Sequence, residues 1–166
     1  MNLHPAEAKF QQLISRGKPD EAQKSLEEYK AINPADKTGI CCMEAWLMRK
    51  QGNIDGAIDV LTNAIEAGET EFCRCHMSRV ALYLKKGDLH YALADCETIL
   101  TEEAPHIKAS FHNCYRFMKA YILARLKNQK FERELSLIPE NYIVWIAGKN
   151  WKADDLNKLY MTGSAD

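Results

Sequence analysis

The sequence predicts an all-α fold, an α-solenoid of antiparallel helix pairs with capping helices at its C-terminal end. Glycine recurs with a period of 35 residues, at Gly17, Gly52 and Gly87. Alanine recurs with the same period, five residues after each glycine, at positions 22, 57 and 92. A fixed period of about 20 to 50 residues is typical of stacked repeats. One amphipathic stretch precedes each glycine and another follows it, so each period predicts one helix pair.

The glycine and the alanine of each period have different predicted roles. The glycine lies where the chain must reverse between two helices, and it adopts backbone conformations that a side chain resists. The alanine is small because two helices cross closely there, and a larger side chain would cost on the order of 1–3 kcal/mol. An apolar residue four positions later lies on the same helix face: Leu26, Leu61 or Cys96. Pro34 ends the first period, where a helix has to stop.

These residues together resemble the tetratricopeptide repeat family, whose repeats are helix pairs of about 34 residues. The resemblance covers three repeats, at about residues 3–36, 37–71 and 72–105. The sequence departs from the family pattern at Glu69 and Ala104, where a closing proline is common. The resemblance implies that the helix pairs stack into a superhelix, with a concave groove lined by the first helix of each pair.

The repeat phase is lost after Pro105, and the rest of the chain is predicted to cap the array. Over residues 106–138, apolar residues at helical intervals predict a long helix and a truncated partner, which would form an aberrant fourth pair. Residues 139–166 are predicted to form two short helices, in the stretches ENYIVWIAG and ADDLNKLY. A terminal element of this kind presents a face that tolerates water. We expect the whole chain, 1–166, to be a single domain.

Composition narrows the class of protein. A net charge of -1 over 166 residues argues against attraction of the whole molecule to nucleic acid or to an anionic membrane. No apolar run reaches the roughly 18 residues of a membrane span. The start, MNLHPAEAKF, lacks the apolar stretch of a secretory signal, so we expect a cytoplasmic protein. The six cysteines are expected to be buried free thiols rather than disulfides.

Charge is distributed unevenly along the chain. Residues 55–104 carry ten acidic and four basic side chains, whereas residues 106–133 carry seven basic and one acidic. The basic stretch would present a secondary basic surface formed by Lys108, Arg116, Lys119 and Arg125. Basic residues interleaved with aromatics such as Tyr115 and Tyr121 are one way to bind single-stranded RNA. The preferred interpretation is that the aromatics are core residues and the cations are solvated or pair with the acidic stretch.

The resemblance also implies a binding groove for peptides. Transferring the groove-lining face of the family onto this sequence gives Glu7, Gln11, Cys42, Met43, Trp46, Arg49, Lys50, Arg74, Met77, Ser78, Ala81 and Lys85. Trp and Met beside four basic residues would suit a peptide with apolar anchors and acidic flanks. The alternative is that Trp46 and Met77 only pack between repeats while the cations are solvated.

Other kinds of site receive less support from the sequence. A chaperone-tail clamp of the resembled family would want Asn at the position of Ser78. Cysteines at 41–42 and in the stretch CRCH at 73–76 are metal-ligand types, but Cys73 and Cys75 lie about 200° apart on a helix. We therefore expect neither a metal nor another cofactor. With no glycine-rich phosphate loop and no His-Glu-x-x-His motif, we expect no enzymatic activity.

The sequence leaves three functions open. The first is a non-catalytic module that binds a peptide segment of a partner protein in the groove. The second is a small secretion-type chaperone for a dedicated client, which rests on the similarity of one repeat to such chaperones. The third is an RNA-associated protein that uses the basic helix 106–133. Trp145 and Trp151 near the C-terminal end would either cap the array or pair with a second copy in a homodimer.

Overall fold

The fold is all-α, as the sequence predicted. The computed structural model describes residues 5–68, 72–102, 109–146 and 148–163. Within these residues the chain forms nine helices and one two-stranded hairpin. In chain order they are α1 (Pro5–Ser15), α2 (Pro19–Ile32), α3 (Lys37–Lys50), α4 (Ile54–Glu66), α5 (Phe72–Lys86), α6 (Leu89–Glu102), α7 (Ala109–Arg125), α8 (Lys130–Ser136), β1 (Val144–Ile146), β2 (Lys149–Trp151) and α9 (Ala153–Thr162).

The chain divides into two compact units, an N-terminal unit, Met1–Leu82, and a C-terminal unit, Tyr83–Asp166. In the N-terminal unit, α1 packs on α2 and α3 packs on α4, with further packing of α3 on α1 and α2. In the C-terminal unit, α7 packs against α6, α8 and α9. None of the described helices combines the length and apolar content needed to cross a membrane.

Three glycines end helices in the conformation that the period predicts. Gly17, Gly52 and Gly87 have φ angles of +71°, +87° and +87°. At the second of them, the Asn53 N–H donates to the carbonyl of Met48 at 2.9 Å and the Gly52 N–H donates to the carbonyl of Arg49 at 3.3 Å. This paired pattern satisfies carbonyls that the helix end leaves without partners. The left-handed backbone therefore explains the glycine at each turn.

The periodic small and apolar residues lie in the core. Ala22, Ala57 and Ala92 are fully buried, as expected of small residues at close helix crossings. The apolar residues four positions later are buried as well, at Leu26, Leu61 and Cys96. In the N-terminal unit the core cluster joins three helices through Phe10, Ile14, Ala22, Leu26, Tyr29, Met43 and Leu47.

The C-terminal unit is built around α7. Phe117 and Ile122 are fully buried on this helix. Tyr121 meets Trp151 edge to face at a centroid distance of 4.9 Å, and Phe131 of α8 stacks on Tyr160 of α9 at 4.7 Å. The predicted long helix and its truncated partner are thus confirmed as α7 and α8, although residues 103–108 lie outside the described part of the chain.

The helix predicted for ENYIVWIAG is wrong. Val144–Ile146 pairs antiparallel with Lys149–Trp151, with Val144 opposite Trp151. Val144 and Ile146 are buried while Trp145 is exposed, a period of two that a short strand satisfies and a helix does not. β-branched and aromatic residues favour this conformation, and Gly148, at a φ of +91°, lies between the two strands. The second predicted helix, ADDLNKLY, is confirmed as α9.

Candidate functional site

An open cleft of about 610 Å³ lies in the N-terminal unit between α1 and α3. It is called here the Trp46 cleft, and its lining residues are Ala8, Gln11, Gln12, Ile14, Ser15, Trp46, Arg49 and Lys50. Residues three and four apart on a helix share one face, so both helices present a continuous wall. Four of the predicted groove residues therefore line one cleft.

A smaller recess of about 110 Å³ shares Trp46 and Gln11 with the Trp46 cleft. This Glu7 recess is lined by Glu7, Phe10, Gln11, Cys42, Met43, Trp46, Arg74 and Ser78. It contains residues of α1, α3 and α5, which are the first helices of the three predicted repeats. All three predicted repeats therefore contribute residues to the Glu7 recess.

Trp46 is the accessible aromatic residue of this surface. Its flanking residue Leu47 and the preceding Met43 are buried in the core, whereas Trp46 is 37% exposed. The indole lines both the Trp46 cleft and the Glu7 recess. A partly exposed indole at the wall of a cleft offers apolar contact area and one hydrogen-bond donor to a ligand.

The charge of the Trp46 cleft is positive. Arg49 is half-buried and Lys50 is exposed, and within the described part of the chain neither forms an ion pair with a carboxylate. None of the eight residues that line the cleft, all of them described, is acidic. An acidic group on a ligand would therefore find two cations that no described carboxylate pairs with.

Arg74 has a partner within its own chain that the sequence did not predict. Its guanidinium pairs with the Glu7 carboxylate, which is 5% exposed. Burial also lowers the pKa of Arg74 from its ordinary value. The role of Arg74 as one of four groove cations stays a prediction, and the structure adds that its charge is already paired with a buried carboxylate of its own chain.

The remaining predicted groove residues are scattered along α5. Met77 and Ala81 are half-buried and do not line the Trp46 cleft or the Glu7 recess. Lys85 is exposed in the last turn of α5 and belongs to the C-terminal unit. The structure therefore concentrates the candidate site on α1 and α3, with α5 contributing Arg74 and Ser78 to the Glu7 recess.

Three cysteine side chains converge inside the N-terminal unit, a contact that the sequence analysis did not predict. The Sγ atoms of Cys41, Cys42 and Cys75 all lie within 4.8 Å of one another. The hydrogen bond of Cys41 to Cys42 acts to lower the pKa of Cys41, but its hydrogen bond with Cys75 and its burial raise that pKa to about 12. Among the described residues, these are the side chains able to hold a metal ion together.

Lys119 of the predicted secondary basic surface is paired within the C-terminal unit. Lys119 pairs with Glu134 at 2.9 Å and with Glu97 at 3.3 Å. Burial acts to lower the pKa of Lys119, but these two carboxylates outweigh it and raise the pKa. Arg116 is half-buried, Arg125 is exposed and lies 6.0 Å from the centroid of the Tyr121 ring, and Lys108 lies outside the described residues.

Three aromatic side chains of α7 are core residues. Phe117 is fully buried and Tyr115 and Tyr121 are at most 7% exposed. Base stacking requires an accessible ring face. The preferred sequence interpretation is therefore confirmed for these three aromatics, and they do not offer the stacking platform that the RNA hypothesis needs.

Comparisons with known protein families, curated proteins and solved structures found no match to this chain.

Sequence reasoning missed one half of the Trp46 cleft. Ala8, Gln12, Ile14 and Ser15 line it beside the predicted Gln11. The available signal was helical spacing, because positions 8, 11, 12 and 15 lie on one face of α1. The transfer from the resembled family supplied only two positions on that helix.

Proposed function

We propose that the N-terminal unit is a non-catalytic interaction module that binds a peptide segment of a partner protein in the Trp46 cleft. One observation carries the proposal: an exposed indole lies beside two cations that no described carboxylate pairs with. Stable folding would normally bury such an indole, and ligand binding gives a reason for its exposure.

The chemistry of the cleft specifies the kind of peptide. Trp46 provides an apolar anchor point, while Arg49 and Lys50 favour acidic side chains in the peptide. The amide groups of Gln11 and Gln12 both donate and accept hydrogen bonds, which suits a peptide backbone. The volume of about 610 Å³ is within the usual range of about 300–1,000 Å³ for ligand pockets. The preferred ligand is therefore a short acidic segment with one large apolar residue.

The inventory of the cleft also supports a binding role rather than catalysis. None of its eight described lining residues carries an imidazole, a thiol or a carboxylate. The Ser15 hydroxyl donates to the backbone carbonyl of Gln12 at 2.9 Å rather than to a general base. We further infer kinship with the tetratricopeptide repeat family, which the 35-residue period and the buried periodic alanines support.

The test is a selection from a random peptide display library on the purified full chain. We expect enriched peptides to combine acidic residues with one aromatic or large aliphatic residue. Trp46→Ala should weaken the enriched peptides by about 30-fold or more, as expected for a tryptophan that supplies at least about 2 kcal/mol of binding energy. Arg49→Glu should weaken the acidic peptides through charge reversal.

Matched controls separate the cleft from general effects of the substitutions. Trp145→Ala removes an exposed tryptophan of the C-terminal unit, and Lys24→Glu reverses an exposed charge on α2. Both should bind the selected peptides as the wild type does. Circular dichroism checks that every variant is folded. Peptides that bind the folded Trp46→Ala and Arg49→Glu variants as tightly as the wild type, or a selection that enriches nothing, would overturn the proposal.

A further inference from the structure

The cysteines at 41, 42 and 75 form a compact cluster in the N-terminal unit. Two of them are neighbours on α3 and the third lies on α5. The Cys41 and Cys75 sulfurs are 3.4 Å apart, and all three sulfurs lie within 4.8 Å of one another. The three residues are at most 8% exposed. A buried cysteine alone is often a small core residue, but three converging sulfurs also form a set of ligands.

We propose that Cys41, Cys42 and Cys75 form a trigonal thiolate site for one monovalent copper ion. This site is separate from the proposed peptide-binding function, and neither depends on the other. A metal–sulfur bond of about 2.3 Å places the sulfurs of a planar trigonal site about 4 Å apart. The Cys41–Cys75 separation of 3.4 Å is somewhat shorter than this distance, and no pair of the three sulfurs is more than 4.8 Å apart.

The ligand type selects a soft metal. All three candidate ligands are sulfur atoms, and among the described side chains no carboxylate or imidazole joins the group. Thiolates favour Cu(I), zinc and iron–sulfur clusters over the hard cations. Structural zinc sites almost always have four protein ligands in a tetrahedron. Three buried sulfurs instead suit Cu(I), which is stable with three thiolate ligands.

A hydroxyl group beside the sulfurs favours a charged thiolate ligand. The Ser78 hydroxyl donates to the Cys42 sulfur at 3.6 Å, a contact that orients a ligand and stabilises its negative charge. On binding, each of the three thiols releases one proton to solvent. Copper keeps its single positive charge throughout, so the step involves no oxidation or reduction.

The test is a titration of the reduced full chain with Cu(I), without oxygen and in competition with a chromogenic Cu(I) chelator. We expect one copper ion per chain to be retained against the chelator, and an excess of zinc not to displace it. X-ray absorption at the copper edge should then show three sulfur neighbours at about 2.3 Å. This spectrum is measured on the wild type, so it does not depend on the folding of any variant.

Two matched variants locate the ion. Replacing Cys41, Cys42 and Cys75 by serine should abolish retention. Replacing Cys96 and Cys114, two thiols of the C-terminal unit, should leave it unchanged. Ser78→Ala should weaken copper binding by about tenfold, the usual effect of losing a group that orients a ligand.

Several outcomes would overturn the proposal. In the binding experiments they are no copper retention by the wild type, displacement of copper by zinc, or equal retention by the triple cysteine variant and the Cys96/Cys114 variant. In the spectroscopy it is a copper site with fewer than three sulfur neighbours. Isolation of the native protein with a Cys41–Cys75 disulfide would also overturn it.

Discussion

Arg74 of α5 forms an ion pair with Glu7 of α1, across 67 residues of sequence. The carboxylate is buried, whereas the Arg74 side chain is 29% exposed. The pair therefore joins the first and third predicted repeats and closes one side of the Glu7 recess.

This ion pair predicts an asymmetric response to substitution. Arg74→Ala leaves a buried carboxylate without its cation and should destabilise the protein by about 3 kcal/mol. Replacing both partners by neutral residues of similar size, Glu7→Gln with Arg74→Met, should recover most of that loss. Urea unfolding of the single and double variants measures both effects. A folded Arg74→Ala protein within about 0.5 kcal/mol of the wild type would show that the pair contributes little.

The turn between α3 and α4 should be sensitive to the conformation of one residue. Gly52 has a φ of +87°, and a Cβ atom added there would meet no atom within 4 Å apart from those of its chain neighbours. Gly52→Ala should therefore cost about 1–2 kcal/mol through backbone strain alone. The neighbouring Gln51 has a φ of -78°, so Gln51→Ala should be nearly neutral. Equal unfolding free energies for the two variants would contradict this explanation.

The close packing of α2 predicts a difference between two alanines of one helix. Ala22 is fully buried, whereas Ala31 is exposed near the C-terminal end of the helix. Ala22→Leu should cost about 1–3 kcal/mol because the surrounding core has no room for added atoms. Ala31→Leu should change stability by less than about 0.5 kcal/mol. Thermal denaturation of the two variants makes the comparison, and a neutral Ala22→Leu would argue against a close crossing.

Tyr29 should make stability fall in alkaline solution. Its burial, and then its hydrogen bond to Asp36 and the charge of that carboxylate, raise the pKa of Tyr29 from 10.0 to about 12. Below pH 10 the phenol is neutral in both folded and unfolded chains, so its full contribution is present. Between pH 10 and about 12 only the unfolded chain loses the proton, so that contribution is lost as pH rises.

The measurement is the pH dependence of the unfolding free energy of the wild type compared with Tyr29→Phe. The difference between the two proteins should shrink as the pH rises above 10. Asp36→Asn keeps a side-chain oxygen that accepts the Gly39 N–H at the start of α3, but it removes the charge beside the phenol. It should therefore lower the pKa of Tyr29 towards 10. A difference that stays constant across this range would contradict the assignment.

The period allowed much of the fold to be predicted from the sequence. The glycines recur because each turn requires a left-handed backbone, and the alanines recur because the helices pack closely there. Both requirements act within one helix pair, so each repeat shows them in its own sequence. The strand Val144–Ile146 of the hairpin was missed because a short apolar run fits a buried strand and a helix equally well. Packing of Val144 and Ile146 into the C-terminal unit, which no local pattern reveals, decides between them.

The sequence predicted those site residues whose positions follow from the 35-residue repeat. It did not predict the contacts between residues that are far apart in the sequence. Trp46 and Arg49 occupy the face of α3 that the repeat pattern assigns to a groove. The partners of Arg74 and Cys75 come from other helices and depend on how those helices pack. Residue type alone therefore identified Arg74 as a cation but not as the partner of Glu7.

The most direct test of the central claim is an NMR titration of the isotope-labelled full chain with a selected acidic peptide. If the Trp46 cleft is the binding site, the indole N–H signal of Trp46 and the side-chain amide signals of Gln11 and Gln12 should shift on binding, while the Trp145 indole signal stays in place. A shift of the Trp145 signal with the Trp46 and glutamine signals unmoved would contradict the account.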